Sequence, residues 1–241
     1  MLEAAFWGFV GGVALLVGGY AGIRLSASLR SIGLVMAFGS GVLISALTFE
    51  LMREASDLAG GVAAVVAMIA GSLTFFVGDW FIDRRGGDRR KSPHKSAATT
   101  GGMVLVLGSL LDGIPESAAI GVSLIGGGSV GVAVVAAVFL SNVPEALSAS
   151  AGMKASGRST GSIMGIWVAV TAASTLAAAL GYAVLSQAGD GPTGAVEAFA
   201  AGAVLTMLVD TMVPEAVEHA GALVGIVTAL GFAAAFLLSV A

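Results

Sequence analysis

The chain contains no cysteine, which excludes disulfides, thiolate metal ligands and cysteine-based catalysis. Charged residues are also scarce, since they make up 11% of the chain against about a quarter of a soluble domain. With 57% hydrophobic residues, the chain has too little polar surface to cover itself in water. The sequence therefore predicts an integral membrane protein whose partner is the lipid bilayer, and it predicts no nucleic-acid partner.

The strict polar–apolar alternation that marks a transmembrane barrel is absent, whereas apolar runs of about 20 residues are frequent. The sequence therefore predicts an all-α polytopic membrane protein with eight spans, forming a single transmembrane domain over residues 1–241. The predicted spans are Leu2–Ile23, Ser31–Glu54, Gly60–Ile82, Thr100–Ile125, Val130–Gly152, Gly161–Leu185, Gly194–Val217 and Gly221–Val240.

Basic residues are distributed unevenly between the two sides of this topology. All but one of the eleven Lys and Arg residues fall in loops that share one side, and Arg53 is the exception. Since loops rich in Lys and Arg remain in the cytoplasm, the distribution predicts that both termini lie outside. The expected location is the plasma or inner membrane of the cell, with multiple crossings.

The longest polar connection is the stretch 83–99, between the third and fourth spans, and it carries most of the basic residues. We expect a cytoplasmic basic loop whose charge fixes the topology. Binding of anionic lipid or of a partner protein is the alternative interpretation of this charge.

An internal repeat relates the second and seventh spans, because Phe38 to Ala55 aligns with Phe199 to Ala216 without a gap. These spans are predicted to run in opposite directions through the membrane. Oppositely oriented repeats are typical of transporters that bind substrate at mid-membrane between two halves. The sequence therefore predicts an inverted repeat of spans 1–3 and 6–8 around spans 4 and 5.

Glycines recur along one predicted helix, the first span. They occupy positions 8, 11, 12, 18, 19 and 22. Small residues let helix backbones approach closely in a membrane. The pattern predicts close packing, either within the chain or across a homodimer.

The dipeptide Pro-Glu occurs in three of the predicted spans. On the fourth span, Asp112 and Glu116 share one helical face and flank Pro115 near mid-depth. A helical proline frees the carbonyl four residues earlier, and at mid-membrane that oxygen needs a proton donor, a water or a cation. The fifth and seventh spans repeat the arrangement with Ser141, Asn142, Glu145, Asp210 and Glu215.

Acidic residues outnumber basic ones deep in the spans. The deep acids are Asp112, Glu116, Glu145 and Asp210, and no Lys, Arg or His is predicted at that depth. Such carboxylates hold protons, line a wet cavity or bind a cation, because all cannot stay ionised in a low-dielectric interior. Clustered carboxylate, amide and carbonyl oxygens suit a divalent metal. The alternative is a set of protonated residues at helix kinks.

These motifs resemble those of the ZIP (Zrt-, Irt-like) family of divalent metal transporters, and the resemblance covers the whole chain. Its most specific part is the pair DGIPESAAIG and SNVPEALSASAG on spans 4 and 5. The resemblance implies eight spans, outward termini, and Glu116 and Glu145 as metal-bridging residues. The positions that it further implies are Asp112, Ser141 and Asn142 in the metal site and Asp210 and Glu215 in the inner pathway.

Asp112 and Ser141 stand where the family usually has histidine, so the implied ligands are nearly all oxygen atoms. Oxygen ligands favour manganese, iron(II) or magnesium alongside zinc. The expected function is transport of a divalent metal towards the cytoplasm, entering past Glu50 and Glu54, with no prosthetic group. The alternative is a homologue that has lost transport and acts as a metal sensor or scaffold.

Catalysis is not expected, because no catalytic motif of a known kind is present. An intramembrane hydrolase would need an aspartate pair around one water pocket, which Asp112 and Asp210 would have to supply. We therefore predict that the protein is not an enzyme.

Overall fold

The computed structural model describes residues 1–25, 28–84, 102–125 and 132–239, without the side chains of 83, 102–107 and 132–133. Every secondary-structure element in these ranges is helical, which confirms the all-α prediction. The helices are α1 (Leu2–Arg24), α2 (Leu29–Ala46), α3 (Met52–Ala59), α4 (Gly61–Arg84), α5 (Gly102–Val122), α6 (Val132–Ala155), α7 (Thr160–Leu185), α8 (Asp190–Met207), α9 (Val213–Ala220) and α10 (Val224–Ser239).

Six helical segments within the described residues are long and apolar enough to cross a membrane, judged by length and composition. They are Leu2–Arg24, Leu29–Ala59, Gly61–Ile82, Val134–Ala155, Thr160–Leu185 and Asp190–Ser239. Their number and length are compatible with a multi-pass membrane protein. The expected eight spans remain a prediction.

The last of these segments explains part of the difference from eight. Asp190–Ser239 holds 50 residues, and a straight helix of that length would be about 75 Å long, more than twice the ~30 Å hydrocarbon core. The segment is interrupted by a 3-10 turn at Gly221–Leu223, where Gly221 has a φ of +63°. This region therefore has the length and the break that two crossings need.

The surfaces of α4 and α10 are apolar and exposed. Val62 and Val66 on α4 are 83% and 63% exposed, and Ile226 and Leu237 on α10 are each 65% exposed. Exposing such contiguous apolar faces to water would cost free energy, whereas contact with lipid tails would not. This arrangement fits helices at the outside of a bundle in a bilayer.

Helix ends follow local capping rules. The hydroxyls of Ser28 and Ser159 accept hydrogen bonds from the backbone N–H groups of Ser31 and Ser162, which start α2 and α7. At the C-terminal end of α3, Gly60 adopts a φ of +81°, a backbone conformation that residues with a Cβ atom rarely adopt. Because Gly60 turns the chain, α4 begins immediately after α3.

The glycines of α1 pack against α6 and α7. A Cβ atom at Gly18 or Gly22 would overlap the carbonyl oxygen of Val143 or Leu147 on α6. Thr171 of α7 donates a hydrogen bond of 2.9 Å from its hydroxyl to the carbonyl oxygen of Gly12. The glycine face of α1 is therefore used for packing within the chain.

The two segments that the sequence aligns share an unusual local structure. A π-helical turn at Leu47–Leu51 joins α2 to α3, and an equivalent turn at Leu208–Met212 joins α8 to α9. The eight-residue helices α3 and α9 follow, and each ends at a glycine of positive φ. Leu47 aligns with Leu208 in the repeat, so the turns occupy the same position in both segments.

The packing partners of these segments correspond as well. α2 packs against α10, and α8 packs against α4. In each pair, two glycines allow the backbones to touch, because a Cβ would overlap a carbonyl oxygen of the other helix. The four glycine–carbonyl contacts are Gly41 with Thr228, Gly231 with Phe38, Gly202 with Met68, and Gly71 with Phe199.

Most of the predicted basic loop 83–99 lies outside the described residues. The helix that leads to it, α4, ends at Arg84, whose guanidinium lies 3.8 Å from the ring centre of Trp80. Arg24, at the end of α1, lies 5.6 Å from the ring centre of Tyr20. Arginine over an aromatic ring at a helix end is the arrangement expected near a membrane–water interface.

Candidate functional site

The two central Pro-Glu motifs lie on α5 and α6, and both helices continue through their prolines. Pro144 is fully buried in α6. Because Pro144 has no N–H group, the carbonyl of Leu140 loses its helical partner. This carbonyl oxygen lies against Gly39 of α2, 3.1 Å from the position that a Cβ would take. A glycine in α2 thus makes room for the Leu140 carbonyl of α6.

Glu116 is the central acidic residue of the site, with only 2% of its surface exposed. Its Oε1 atom accepts a hydrogen bond of 3.1 Å from the Ser141 hydroxyl, which joins α5 to α6. The Ser141 hydroxyl also lies 2.9 Å from the carbonyl oxygen of Val138. The other oxygen of Glu116, Oε2, is buried and has no hydrogen-bond partner among the described residues.

Asp112 lies one helical turn before Glu116 and is also buried, with 7% of its surface exposed. The two carboxyl groups are close enough to interact electrostatically. Two acids at i and i+4 project from one face of a helix. Asp112 and Ser141 therefore both lie beside Glu116, where α5 meets α6.

Asn142 and Glu145 are the remaining predicted ligands on α6. Asn142 is 5% exposed, and its Nδ2 donates a hydrogen bond of 3.3 Å to the carbonyl oxygen of Gly11 on α1. Its amide nitrogen therefore ties α6 to α1. Glu145 is half-buried on the same helix, three positions further along.

A small cavity adjoins Glu116. Its volume of about 10 Å³ is near the lower limit for holding one ordered water. Glu116 is the polar member of its lining, which is Leu43, Ala46, Leu47, Leu51, Glu116, Ala119, Val134, Val138 and Val204. The cavity therefore lies where α5 meets α2, α6 and α8.

Within the described residues, no group of three His, Cys, Asp or Glu side chains lies close enough to hold a metal ion. The predicted acids Asp112, Glu116 and Glu145 therefore do not form a complete ligand set in this conformation. In this conformation α5 and α6 are joined by the hydrogen bond of Ser141 to Glu116, and the amide of Asn142 is bonded to α1.

The predicted pathway residues lie on the interrupted helices. Glu50 belongs to the first π-helical turn and Glu54 to α3, and Asp210 belongs to the second turn. Glu215, on α9, accepts a hydrogen bond of 2.8 Å from the Ser148 hydroxyl of α6. π-helical turns inside α-helices occur frequently at functional sites.

Sequence reasoning missed Glu197, a buried acid on α8 with 1% of its surface exposed. Its Oε2 atom has no hydrogen-bond partner among the residues that the structure describes. The predicted span began at Gly194, which placed this acid at the membrane surface, whereas α8 begins at Asp190. The available signal was an acid inside an apolar helix with no basic residue nearby in sequence.

No protein-family model matches this chain, and no curated protein sequence matches it.

Proposed function

We propose that this protein is a ZIP-type transporter that moves a divalent metal cation, such as zinc, iron or manganese, towards the cytoplasm. The observation that carries the proposal is the buried Glu116, whose Oε2 has no hydrogen-bond partner among the described residues. A buried carboxylate without compensation costs free energy, and a cation offsets that cost. Glu116 also borders a cavity at the junction of four helices.

The proposed metal site consists of Asp112, Glu116, Ser141, Asn142 and Glu145. The first three already lie together. For Glu145 to join them, α6 must shift or rotate against α5. Alternating access requires such a movement, because the ion must lose contact with one side before it reaches the other.

The proposed topology has eight spans, outward termini and an inverted repeat in the cell membrane. Two features support it: the equivalent π-helical turns, and the equivalent glycine contacts of α2 with α10 and of α8 with α4. Such correspondence is expected if spans 1–3 and 6–8 are two copies of one unit. The central helices α5 and α6 then lie between the copies, where inverted-repeat transporters bind substrate.

We further propose that metal arrives past Glu50 and Glu54 and leaves past Asp210 and Glu215. The hydrogen bond from Ser148 to Glu215 supports this route, because it connects the metal-binding helix α6 directly to α9. A shift of α6 would break or remake this bond as the inner side opens.

A second candidate function is that of a metal sensor or scaffold derived from a transporter. The absence of a three-residue ligand group among the described residues favours it. A sensor would bind metal without carrying it across a membrane, and a scaffold would do neither.

The deciding experiment is uptake of Mn²⁺ or Zn²⁺ into proteoliposomes. We expect the double variant Glu116→Gln/Glu145→Gln to lower the initial rate at least about tenfold, since lost metal-site interactions commonly cost 10- to 100-fold in affinity or activity. The control is Glu3→Gln/Asp190→Asn, which removes two exposed acids and should leave the rate unchanged. Equal uptake by wild type and the Glu116/Glu145 variant would refute the proposal.

A further inference from the structure

Glu197 lies about 10 Å along α8 from its first residue, at the 1.5 Å rise of a helix. Its side chain is 1% exposed, and Oε2 lacks a hydrogen-bond partner within the described ranges. A carboxylate in this situation is destabilising unless a positive charge or a donor reaches it. The metal pathway proposed above does not use this residue.

The packing of α8 on α3 explains why Glu197 is buried. Gly194 lies one turn before Glu197 on the same face. A Cβ at Gly194 would lie 2.8 Å from both the carbonyl oxygen of Ala55 and the Cβ of Leu58. The glycine therefore brings α8 against α3 at the residue that follows Glu54.

Glu54 of α3 is the charged group that acts on Glu197. The charged groups that act on Glu54 are two further acids, Glu50 and Asp57. Arg53 acts on Glu50, and its own side chain is exposed. The pair Glu54 and Glu197 thus comes from two different helices, and two further acids, Glu50 and Asp57, act on Glu54.

We propose that Glu54 and Glu197 form a two-carboxylate binding site for one divalent cation of the oxygen-preferring class. The site lies at the end of the bundle where α3 ends and α8 begins. Two carboxylates suffice for an ion such as Mn²⁺ or Mg²⁺, because these ions keep several of their waters. This is consistent with the lack of a third acid or histidine close enough to join, among the residues described.

This site is separate from the one at Glu116. The α8 residue in the Glu116 cavity is Val204, which lies about 10 Å further along the helix axis than Glu197. The site shares Glu54 with the proposed entry route, but it does not depend on the central site and can be tested without transport.

The test is equilibrium binding of Mn²⁺ to purified full-length protein in detergent, followed by the loss of the free-ion electron paramagnetic resonance signal. The starting variant is Glu116→Gln/Glu145→Gln, which removes the central site. We expect it to retain one Mn²⁺ site, and we expect added Glu197→Gln to weaken that site at least about tenfold. Added Asp190→Asn, at an exposed position on the same helix, should leave the affinity unchanged.

Two further variants keep the outcome decisive. Glu197→Asp retains the charge and should bind more tightly than Glu197→Gln. If Glu197→Gln is not monodisperse, Glu54→Gln replaces it in the test, because Glu54 is only half-buried. Glu54→Gln should weaken Mn²⁺ binding to a similar extent. Unchanged affinity in the soluble variant, or no Mn²⁺ bound by the starting variant, overturns the inference.

The result is distinguishable from the outcome for transport. Wild-type protein that carries no metal in proteoliposomes, yet loses Mn²⁺ binding on Glu197→Gln, would refute transport and retain this site. Normal transport together with unchanged Mn²⁺ binding in Glu197→Gln would support transport and refute this site.

Discussion

At the residue scale, the hydrogen bond from Ser141 to Glu116 directly connects the two Pro-Glu motifs. It satisfies one oxygen of a carboxyl group that is almost fully buried. Since Oε2 already lacks a partner in the described structure, loss of the serine hydroxyl would leave both oxygens unsatisfied. A buried polar group without a partner costs about 1–3 kcal/mol.

We therefore predict that Ser141→Ala lowers the free energy of unfolding by about 1–3 kcal/mol, measured in detergent by thermal or denaturant unfolding. The matched control is Ser40→Ala on α2. Ser40 is equally buried, but its hydroxyl donates only to the Met36 carbonyl of its own helix, at 2.9 Å. We expect Ser40→Ala to lower the free energy of unfolding less than Ser141→Ala does. An equal or larger decrease would contradict a stabilising role for the hydrogen bond from Ser141 to Glu116.

At the element scale, glycines determine which helices touch. α8 meets α4 at Gly202 and Gly71, where the backbones approach so closely that a Cβ would overlap a carbonyl oxygen. Ser72 adds a hydrogen bond of 3.0 Å to the carbonyl oxygen of Gly202 across this contact. Close packing and bonds of this kind are what hold helices together where lipid is as apolar as their side chains.

Gly202→Ala should consequently force α8 away from α4 and destabilise the protein by about 1–3 kcal/mol or more, the usual range for overpacking. Gly41→Ala should have a similar effect on the contact of α2 with α10. Gly165→Ala is the control, because nothing lies within 4 Å of a Cβ at that position in α7. Unfolding midpoints of the three variants test this, and equal midpoints for all would exclude the packing argument.

At the scale of the whole molecule, the charge distribution and the helix breaks together predict the topology. Basic residues lie near the junction of α6 and α7, at Lys154 and Arg158, whereas the junction of α7 and α8 contains no basic residue. The positive-inside rule places the first junction in the cytoplasm and the second outside.

The absence of cysteine makes this topology directly testable by labelling single introduced cysteines. A membrane-impermeant thiol reagent applied to intact cells should modify Gln187→Cys and spare Ala155→Cys. Permeabilised cells should show both modified, since both positions are exposed. Labelling of Ala155→Cys alone in intact cells would indicate the opposite orientation. Labelling of both Ala155→Cys and Gln187→Cys in intact cells would show that the eight-span arrangement is wrong.

The sequence was sufficient to predict the helices and which residues share one helical face. Continuous apolar runs leave little choice but a helix, because a helix satisfies every backbone group within one segment. The i, i+4 spacing alone placed Asp112 and Glu116 on one face. Element boundaries were less accurate, since α8 begins at Asp190 whereas the predicted span begins at Gly194.

Other features required the tertiary structure. That the hydroxyl of Ser141 bonds to Glu116, that Asn142 turns to α1, and that Ser148 reaches Glu215 all depend on how helices distant in sequence pack. Local periodicity carries no information about which helix faces which. The pairs of contacting backbones are selected by glycines whose partners lie far along the chain.

Composition and spacing by themselves determined that this chain is helical, apolar and acidic in its interior, because these properties follow from residues within one helix. The tertiary structure decided which acids meet. It set Glu116 beside a cavity and Glu197 beside Glu54, because burial and electrostatic neighbours arise only when separate helices are brought together.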